Sequence, residues 1–267
     1  MRITDAHTGK RVEVRPHRAG LLRVTVETGD EGNPPGLGDL RALLAGDVLA
    51  RTCEGQGLQV FTELAVPDSA DEQVRGLLKA ADRLGIHPPA QVSARREPDG
   101  ADRTTVDPPR VDLIIAGRPR RHPGPRPTAS VVTGPVTREA STIGPDPLAP
   151  APEADPLALR LVLLDHAVTA PVRLTTTALT DAAARLSRWR ALVADLASAP
   201  SGPLDADLVR ASFDGLNEDL DARVALRALA ALQDRTDLPD GTRFETYVHL
   251  DQVLALELGR DIGRGPG

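Results

Sequence analysis

Three groups of residues have the types and spacing to do chemistry. The first is the turn in "GNPPGLGDLRALL", where Gly36 and Gly38 permit close approach to backbone N–H groups at a helix start and Asp39 follows at once. Small residues there suit a phosphate, because the first amides of a helix point outward and carry the positive end of its dipole. Asp39 works against that use, since its carboxylate repels the same anion. The turn reads as a degenerate nucleotide seat or as a tight turn feeding a well-capped helix, and the acid favours the second. The second group is Arg118, Arg120, Arg121 and Arg126 in "AGRPRRHPGPRP", which offers a contact for an anion or for RNA phosphate. In an acidic chain a solvated loop is the plainer reading. The third group is Glu27, Asp39 and Asp68, carboxylates at the ends of neighbouring elements, whose chemistry would be magnesium binding or general acid work. Carboxylates are common at such ends, so this group is read as solvated.

Other single residues carry less. Cys53 is the one cysteine, so there is no internal disulfide and no CxxC metal or redox pair; it reads as a small helix residue rather than a nucleophile. His122 lies beside arginines, and one imidazole is far short of a zinc site. Trp189, in "ARLSRWRAL", could anchor an interface but more simply packs between helices. There is no Walker lysine loop, no G-x-S-x-G elbow and no H-E-x-x-H pair.

The elements that must position these residues fall into two textures. "LLRVTV" is a β-branched apolar run, "GDLRALLAGDVLARTCEG" has apolar residues at helical spacing, and "LQVFTEL" is again strand-like, which together make a βαβ unit. A helix over "ADEQVRGLLKAADRLG" ends at a glycine, a loop is read through "HPPAQVSARREPDGADRTTVDPPR", and strands follow in "VDLIIAG" and "TASVVTG". The proline-rich "GPDPLAPAPEADP" reads as an extended linker. Beyond it the period is helical in "LALRLVLLDHA", "LTDAAARLSRWRALVADLASA", "LDADLVRASFDGLNEDLDARVALRALAALQDR" and "RFETYVHLDQVLALELG", a bundle of about four or five helices. No internal repeat is evident.

At 267 residues the chain can bury two modest cores, which with 2% aromatics must be aliphatic. Few rings are available to stack bases, and the net charge of −6 is not the footprint of a nucleic-acid binder, although a local basic patch can survive within it. The opening "MRITDAHTGKRVEV" has no apolar signal region, and no run approaches the roughly 18 apolar residues of a membrane span. A soluble cytoplasmic protein with no membrane partner is expected.

Read in order, these segments resemble cysteinyl-tRNA synthetases. "ITDAHTGKRVEVRPHRAGLLRVTV" is similar to the family's opening, with its threonine-glycine-lysine turn before the first core strand. "GLGDLRALLAGDVLARTCEGQGLQV" runs without a gap beside the family's His-Ile-Gly-His motif, the helix with Phe-Asp-Val-Leu-Arg-Arg, and the next strand. "DRLGIHPPAQVSARRE" resembles the segment with paired prolines, and "ADPLALRLVLLDHA", "LNEDLDARVALRAL" and "LDQVLALELG" resemble landmarks of the helical bundle. The order is colinear, and the resemblance extends with gaps over most of the chain.

The departures from the family bear on function. His-Ile-Gly-His falls on Gly36, Leu37, Gly38 and Asp39, so both imidazoles that would meet ATP are replaced. The family's zinc is held by two cysteines, a histidine and a glutamate; Glu27 stands at the first cysteine position, and no thiolate set remains. The Lys-Met-Ser-Lys-Ser loop, whose lysines neutralise the departing pyrophosphate, corresponds to "VTREASTIGPDP", which has no lysine and offers only Arg138, Ser141 and Thr142. The resemblance implies an α/β, Rossmann-like catalytic domain over residues 1–142, a linker over 143–155 and a helical bundle over 156–267, ending where the family's anticodon-binding domain would begin. The leading expectation is a catalytically inactive synthetase-like protein kept as a binding or regulatory partner. Alternatives are a repurposed ligase or transferase using an aminoacyl-adenylate or aminoacyl-tRNA donor, and a small RNA-binding module using the arginine loop. No catalytic residue, metal or cofactor is assigned, ATP being the one nucleotide the turn could still admit. An unknown protein or a second copy is the expected partner, ahead of tRNA, with "VALRALAALQDR" and "LDQVLALELG" as first contact segments unless they pack in the core.

Overall fold

The computed structural model describes residues 1–29, 34–67, 71–94, 110–119, 127–139, 148 and 155–264. The chain forms two compact units, one of Met1–Thr137 with Val168–Val172 and the other of Arg138–Ala167 with Arg173–Gly267.

The first unit opens with an antiparallel hairpin of β1 (Arg2–Thr4) and β2 (Arg11–Glu13). There follow β3 (Leu21–Glu27), α1 (Leu37–Glu54), β4 (Gln59–Val66), α2 (Asp71–Arg83), β5 (Gln91–Ala94), β6 (Leu113–Ala116) and β7 (Ala129–Val132). The last five strands named form one parallel sheet in the order β5-β4-β3-β6-β7, a Rossmann-like α/β arrangement. Its central strands are nearly continuous apolar runs because helices cover parallel sheets on both faces. Leu22, Val24 and Val26 of β3 and Leu113 to Ala116 of β6 are buried. Almost all of α1 is buried too, with Leu40, Leu43, Leu44, Val48 and Leu49 inside. β5 corrects the expected loop after "HPP". Its residues are mostly exposed at the sheet edge, so they lack the apolar alternation that marks a strand.

Buried carboxylates bind the chain's turns to this sheet. Asp5 accepts from the Ser130 N–H and hydroxyl and from the Thr8 N–H and hydroxyl, docking the hairpin on β7. Asp112 accepts from the amides of His17 and Arg23, at 2.9 and 2.8 Å, and so fixes the approach to β3. Asp47 of α1 accepts from Arg51 Nε and from the His87 amide, while Arg51 also donates to the Gly85 carbonyl. Short strands β8 (Val136–Arg138) and β9 (Val172–Leu174) complete the described strands.

The second unit contains α3 (Pro156–Leu164), α4 (Thr176–Leu196), α5 (Ala206–Leu216), α6 (Ala222–Asp234) and α7 (Asp240–Leu254). Asp155, Thr175, Asp205 and Asp221 each accept an N–H of the first turn of the helix they open, the usual way of satisfying one of its exposed donors. The long stretch expected after "LDAD" breaks into α5 and α6 at Asp219 and Leu220, both in the left-handed region with φ 53° and 56°. Trp189 is buried, with the Arg185 guanidinium 5.2 Å from its ring centre. Beyond α7 the Asp251 carboxylate accepts from the amides of Leu256 and Leu258, both at 2.7 Å. Arg160 and Arg190 donate to the carbonyls of Leu254, Leu256 and Glu257. The two leucine-rich segments read as contact surfaces are core instead, since Leu226, Leu229, Leu232, Leu250, Leu254, Leu256 and Leu258 are all buried. Among the described residues no helix is long and apolar enough to cross a membrane.

Candidate functional site

The strand order places β3 at the centre, with β4 and β5 to one side and β6 and β7 to the other. The connections therefore diverge between β3 and β6, and in open parallel sheets ligands settle in the crevice at the carboxyl ends of such a pair. Glu27 ends β3 opposite Ala116, which ends β6. Gly29 and Gly117 follow them, and the start of α1 enters between.

These residues line a cavity of about 250 Å³ that includes Gly29, Gly36, Gly38, Asp39, Gly117 and Arg118. The volume is just below the roughly 300 Å³ at which pockets for drug-sized ligands begin. A Cβ on Gly117 would lie 3.1 Å from the Gly38 carbonyl oxygen, so the peptide of the turn is seated directly on the end of β6.

Asp39 decides what the turn can hold. One carboxylate oxygen accepts from the Gly29 amide and the other from the Gly36 amide, both at 2.7 Å. The contact to Gly36 is the reciprocal half of a capping box, in which an acid in the first turn reaches back to the residue that opens the helix. The contact to Gly29 ties in the end of the β3 loop. A carboxylate near a helix N-terminus is also favoured by the dipole. Its charge therefore sits where a bound phosphate would draw on the same field, and it occupies two amides of the surrounding loop.

One turn on, Arg41 is buried and donates through Nη1 to the carbonyls of Gly134 and Ala170. Burial pulls its guanidinium down to about 10. It fixes residues near the crevice, and nothing in the linear order of the chain, which separates Arg41 from Ala170 by 129 residues, announces the pairing. Gly117 is similarly silent in sequence, because a glycine ending a strand has many uses.

Glu27 is buried at the end of β3. Arg118 borders the cavity, whereas Arg120, Arg121, His122 and Arg126 lie outside the described residues, as do Asp68, Ser141 and Thr142. Arg138 belongs to β8. Cys53 is buried in α1, where burial pushes its thiol up to about 11. The single sulfur is buried as a neutral thiol, and among the described residues no three of His, Cys, Asp and Glu gather to hold a metal.

No protein-family model matches the chain. Parts of it are similar to curated proteins named L-cysteine:1D-myo-inositol 2-amino-2-deoxy-α-D-glucopyranoside ligase. The protein from Frankia alni is 46% identical over 80 residues, 30% of this chain and 18% of that one. The protein from a Parafrankia species is 46% identical over 124 residues, 42% of this chain and 26% of that one. The Streptomyces avermitilis protein is 45% identical over 108 residues, 39% and 25% of the two chains. The matched segments thus span about a quarter or less of these relatives' length, and the likeness is to part of a ligase rather than to a whole one.

Proposed function

We propose that this chain is a synthetase-like binding or regulatory protein that does not activate an amino acid with ATP. The observation that carries the reading is the Asp39 carboxylate, held by the Gly29 and Gly36 amides at the start of α1. Adenylation needs positive groups aimed at the phosphates as charge develops on them. Here the position nearest the helix start carries a negative charge, and the lysines of the family's second signature have no counterpart. On this reading the crevice is kept as a shape, and the partner is a protein or a second copy of the chain.

A second reading is favoured by the names of the partial relatives, which are ligases joining L-cysteine to an amino sugar. In it the cavity admits a small substrate and the chain contributes to such a ligation. Cysteine-dependent ATP–pyrophosphate exchange separates the two. The first reading expects exchange at the level of a blank, and no amide product when ATP, L-cysteine and the amino sugar named for the relatives are supplied together. Exchange clearly above the blank, changed by Asp39→Ala, would sink the first reading and establish the second. The first reading also expects no stoichiometric zinc after dialysis against a chelator, checked by elemental analysis.

A further inference from the structure

We propose that an open groove in the second unit binds the arginine- and proline-rich segment 119–127 of a second copy of this chain. The groove, of about 800 Å³, lies between the residues that join α4 to α5 and the start of α7. Ala199, Pro200, Pro203 and Leu204 line it from the first of these, and Leu238 and Pro239 from the second. Leu204 is one of three large apolar side chains exposed among the described residues, the others being Val92 and Ile262. Apolar surface of this kind, rimmed by polar groups, is where another chain packs.

The fold builds the groove before a partner arrives. Gly202 and Gly241 let its two walls touch, for a Cβ on Gly202 would lie 2.7 Å from the Thr242 nitrogen and one on Gly241 would lie 3.0 Å from the Gly202 nitrogen. The Ser201 hydroxyl donates to the Glu245 carboxylate at 2.6 Å, and the Asp205 amide to the Thr246 hydroxyl at 3.0 Å. The joining segment is thus pinned along the first turns of α7. Walls already fixed in this way reduce the ordering that binding requires.

The lining selects the chemistry of the occupant. Its charged members are both acids, Asp205 and Asp240. Residues 199–210 and 234–245 together hold six acids, Asp205, Asp207, Asp234, Asp237, Asp240 and Glu245, against Arg210, Arg235 and Arg243, a balance of −3. Each of those arginines is already paired, with Asp207, Asp237 and Asp240 in turn. The rim therefore favours a cationic ligand. The apolar walls favour prolines, whose rings are apolar and which bring no N–H in need of an acceptor. Carbonyls of such a peptide also suit the amides of Asp240, Gly241 and Thr242, which have no acceptor among the described residues.

The chain holds two proline-rich stretches, and charge separates them. "PRRHPGPRP" (119–127) has four prolines with Arg120, Arg121 and Arg126 and no acid. "PDPLAPAPEA" (145–154) has four prolines with Asp146 and Glu153 and no base. The first matches the groove in apolar character and in charge, the second in apolar character alone. The basic stretch belongs to the first unit and the groove to the second, so every copy carries one of each and the contact joins unlike surfaces. This proposal rests on the reading above only in taking a second copy as the partner, and it uses none of the crevice residues.

Two measurements test it. In the first, a fluorescent peptide of residues 119–127 is titrated with the full chain. Anisotropy should show saturable binding that weakens with salt, and the peptide of residues 145–154 should bind at least about tenfold less tightly. The pair Leu204→Ser with Asp240→Asn should weaken the basic peptide by about tenfold, whereas Glu72→Gln in α2 should change nothing. In the second, sedimentation velocity follows self-association of the full chain. The parent should associate as its concentration rises. The groove pair, and the triple variant Arg120→Gln, Arg121→Gln and Arg126→Gln, should each remain monomeric. Their equimolar mixture keeps one intact groove and one intact segment per pair, and should form a 1:1 dimer. Unaltered urea midpoints on the same samples show that the substitutions spare the fold. No peptide binding, equal binding of the two peptides, a parent that stays monomeric, or a mixture that does not pair overturns the proposal. Cysteine-dependent pyrophosphate exchange, measured separately, bears on the crevice alone.

Discussion

At Asp39 a single side chain joins two pieces of backbone, so its worth is measurable apart from any ligand. Asp39→Ala leaves the Gly29 and Gly36 amides without their acceptor and removes the carboxylate from the helix start. Hydrogen bonds to charged groups typically contribute about 1.5 to 3 kcal/mol each, and the partly exposed turn can recover some of that from water, so a loss of about 2 kcal/mol is expected. Asp39→Asn should fall between, because its amide oxygen can replace one carboxylate oxygen while its NH2 faces the other donor. Urea midpoints of the three proteins measure this, and an alanine variant as stable as the parent would show that the turn does not depend on the acid. Single side chains show both what the sequence makes plain and what only folding brings together. Asp39 is legible as a carboxylate at a helix start, and its opposition to phosphate follows from charge alone. Its contact to Gly29 is not legible, because that amide is ten residues back and reaches it only when β3 and α1 come together. Cys53 is legible as a small helix residue, and the structure buries it as one. Because the thiol is pushed up to about 11, it is almost wholly protonated at neutral pH and should resist a thiol reagent until denaturant is added. Fast modification of the native protein would contradict this.

Between elements, the two glycines that meet at the mouth of the crevice have opposite expectations. Gly38 lies in the first turn of α1, and a Cβ there meets nothing within 4 Å. Gly38→Ala should therefore be neutral or stabilising by up to about 1 kcal/mol, since alanine loses less chain entropy on forming helix. Gly117→Ala places its Cβ at 3.1 Å from the Gly38 oxygen and 3.2 Å from its carbonyl carbon, which forces the turn away from β6. Backbone shifts of this kind cost about 1 to 3 kcal/mol. If thermal melting ranks the two variants the other way, α1 does not sit on β6 as described. Elements with strong periodicity are the readily legible part. The run "LLRVTV" is β3, and the alternating strand and helix patterns after it make the centre of the sheet. Where side chains are exposed or the element is very short, as in β1, β2 and β5, the apolar pattern vanishes and backbone pairing alone makes the strand. In the second unit the helical period runs through "LNEDLD" without a visible stop, because the break is made by Asp219 and Leu220 at positive φ rather than by glycine or proline.

For the molecule as a whole, carboxyls shifted by folding give stability a pH dependence of both signs. Burial opposes ionisation of Asp5, but hydrogen bonds from Thr8 and Ser130 outweigh it and hold the carboxyl below its usual range. The same balance, burial overcome by Arg190 and the Leu157 amide at Asp155 and by Arg223 at Asp221, lowers those carboxyls in the second unit. A carboxyl lowered by folding binds fewer protons in the native state. Its contribution is present above the unfolded value near 3.8 and is lost as pH falls through the folded one. Asp251 is the reverse, for burial pushes it up and the amides of Leu258 and Leu256 only partly compensate. The native chain then keeps this proton to higher pH than the unfolded chain, so the favourable part of its contribution is full below the unfolded value and fades as pH rises through the folded one. Two variants separate these effects. The stability difference between parent and Asp5→Asn should be largest near neutral pH and shrink on acidification, whereas the difference between parent and Asp251→Asn should grow as pH falls from about 7 to 4. Both lose hydrogen bonds, so both should be destabilised throughout, and only the slopes differ. Denaturant titrations at several pH values provide the comparison. Parallel slopes would mean that the amides of Leu256 and Leu258 hold Asp251 ionised as firmly as Thr8 and Ser130 hold Asp5, and that burial at the end of α7 does not govern its charge.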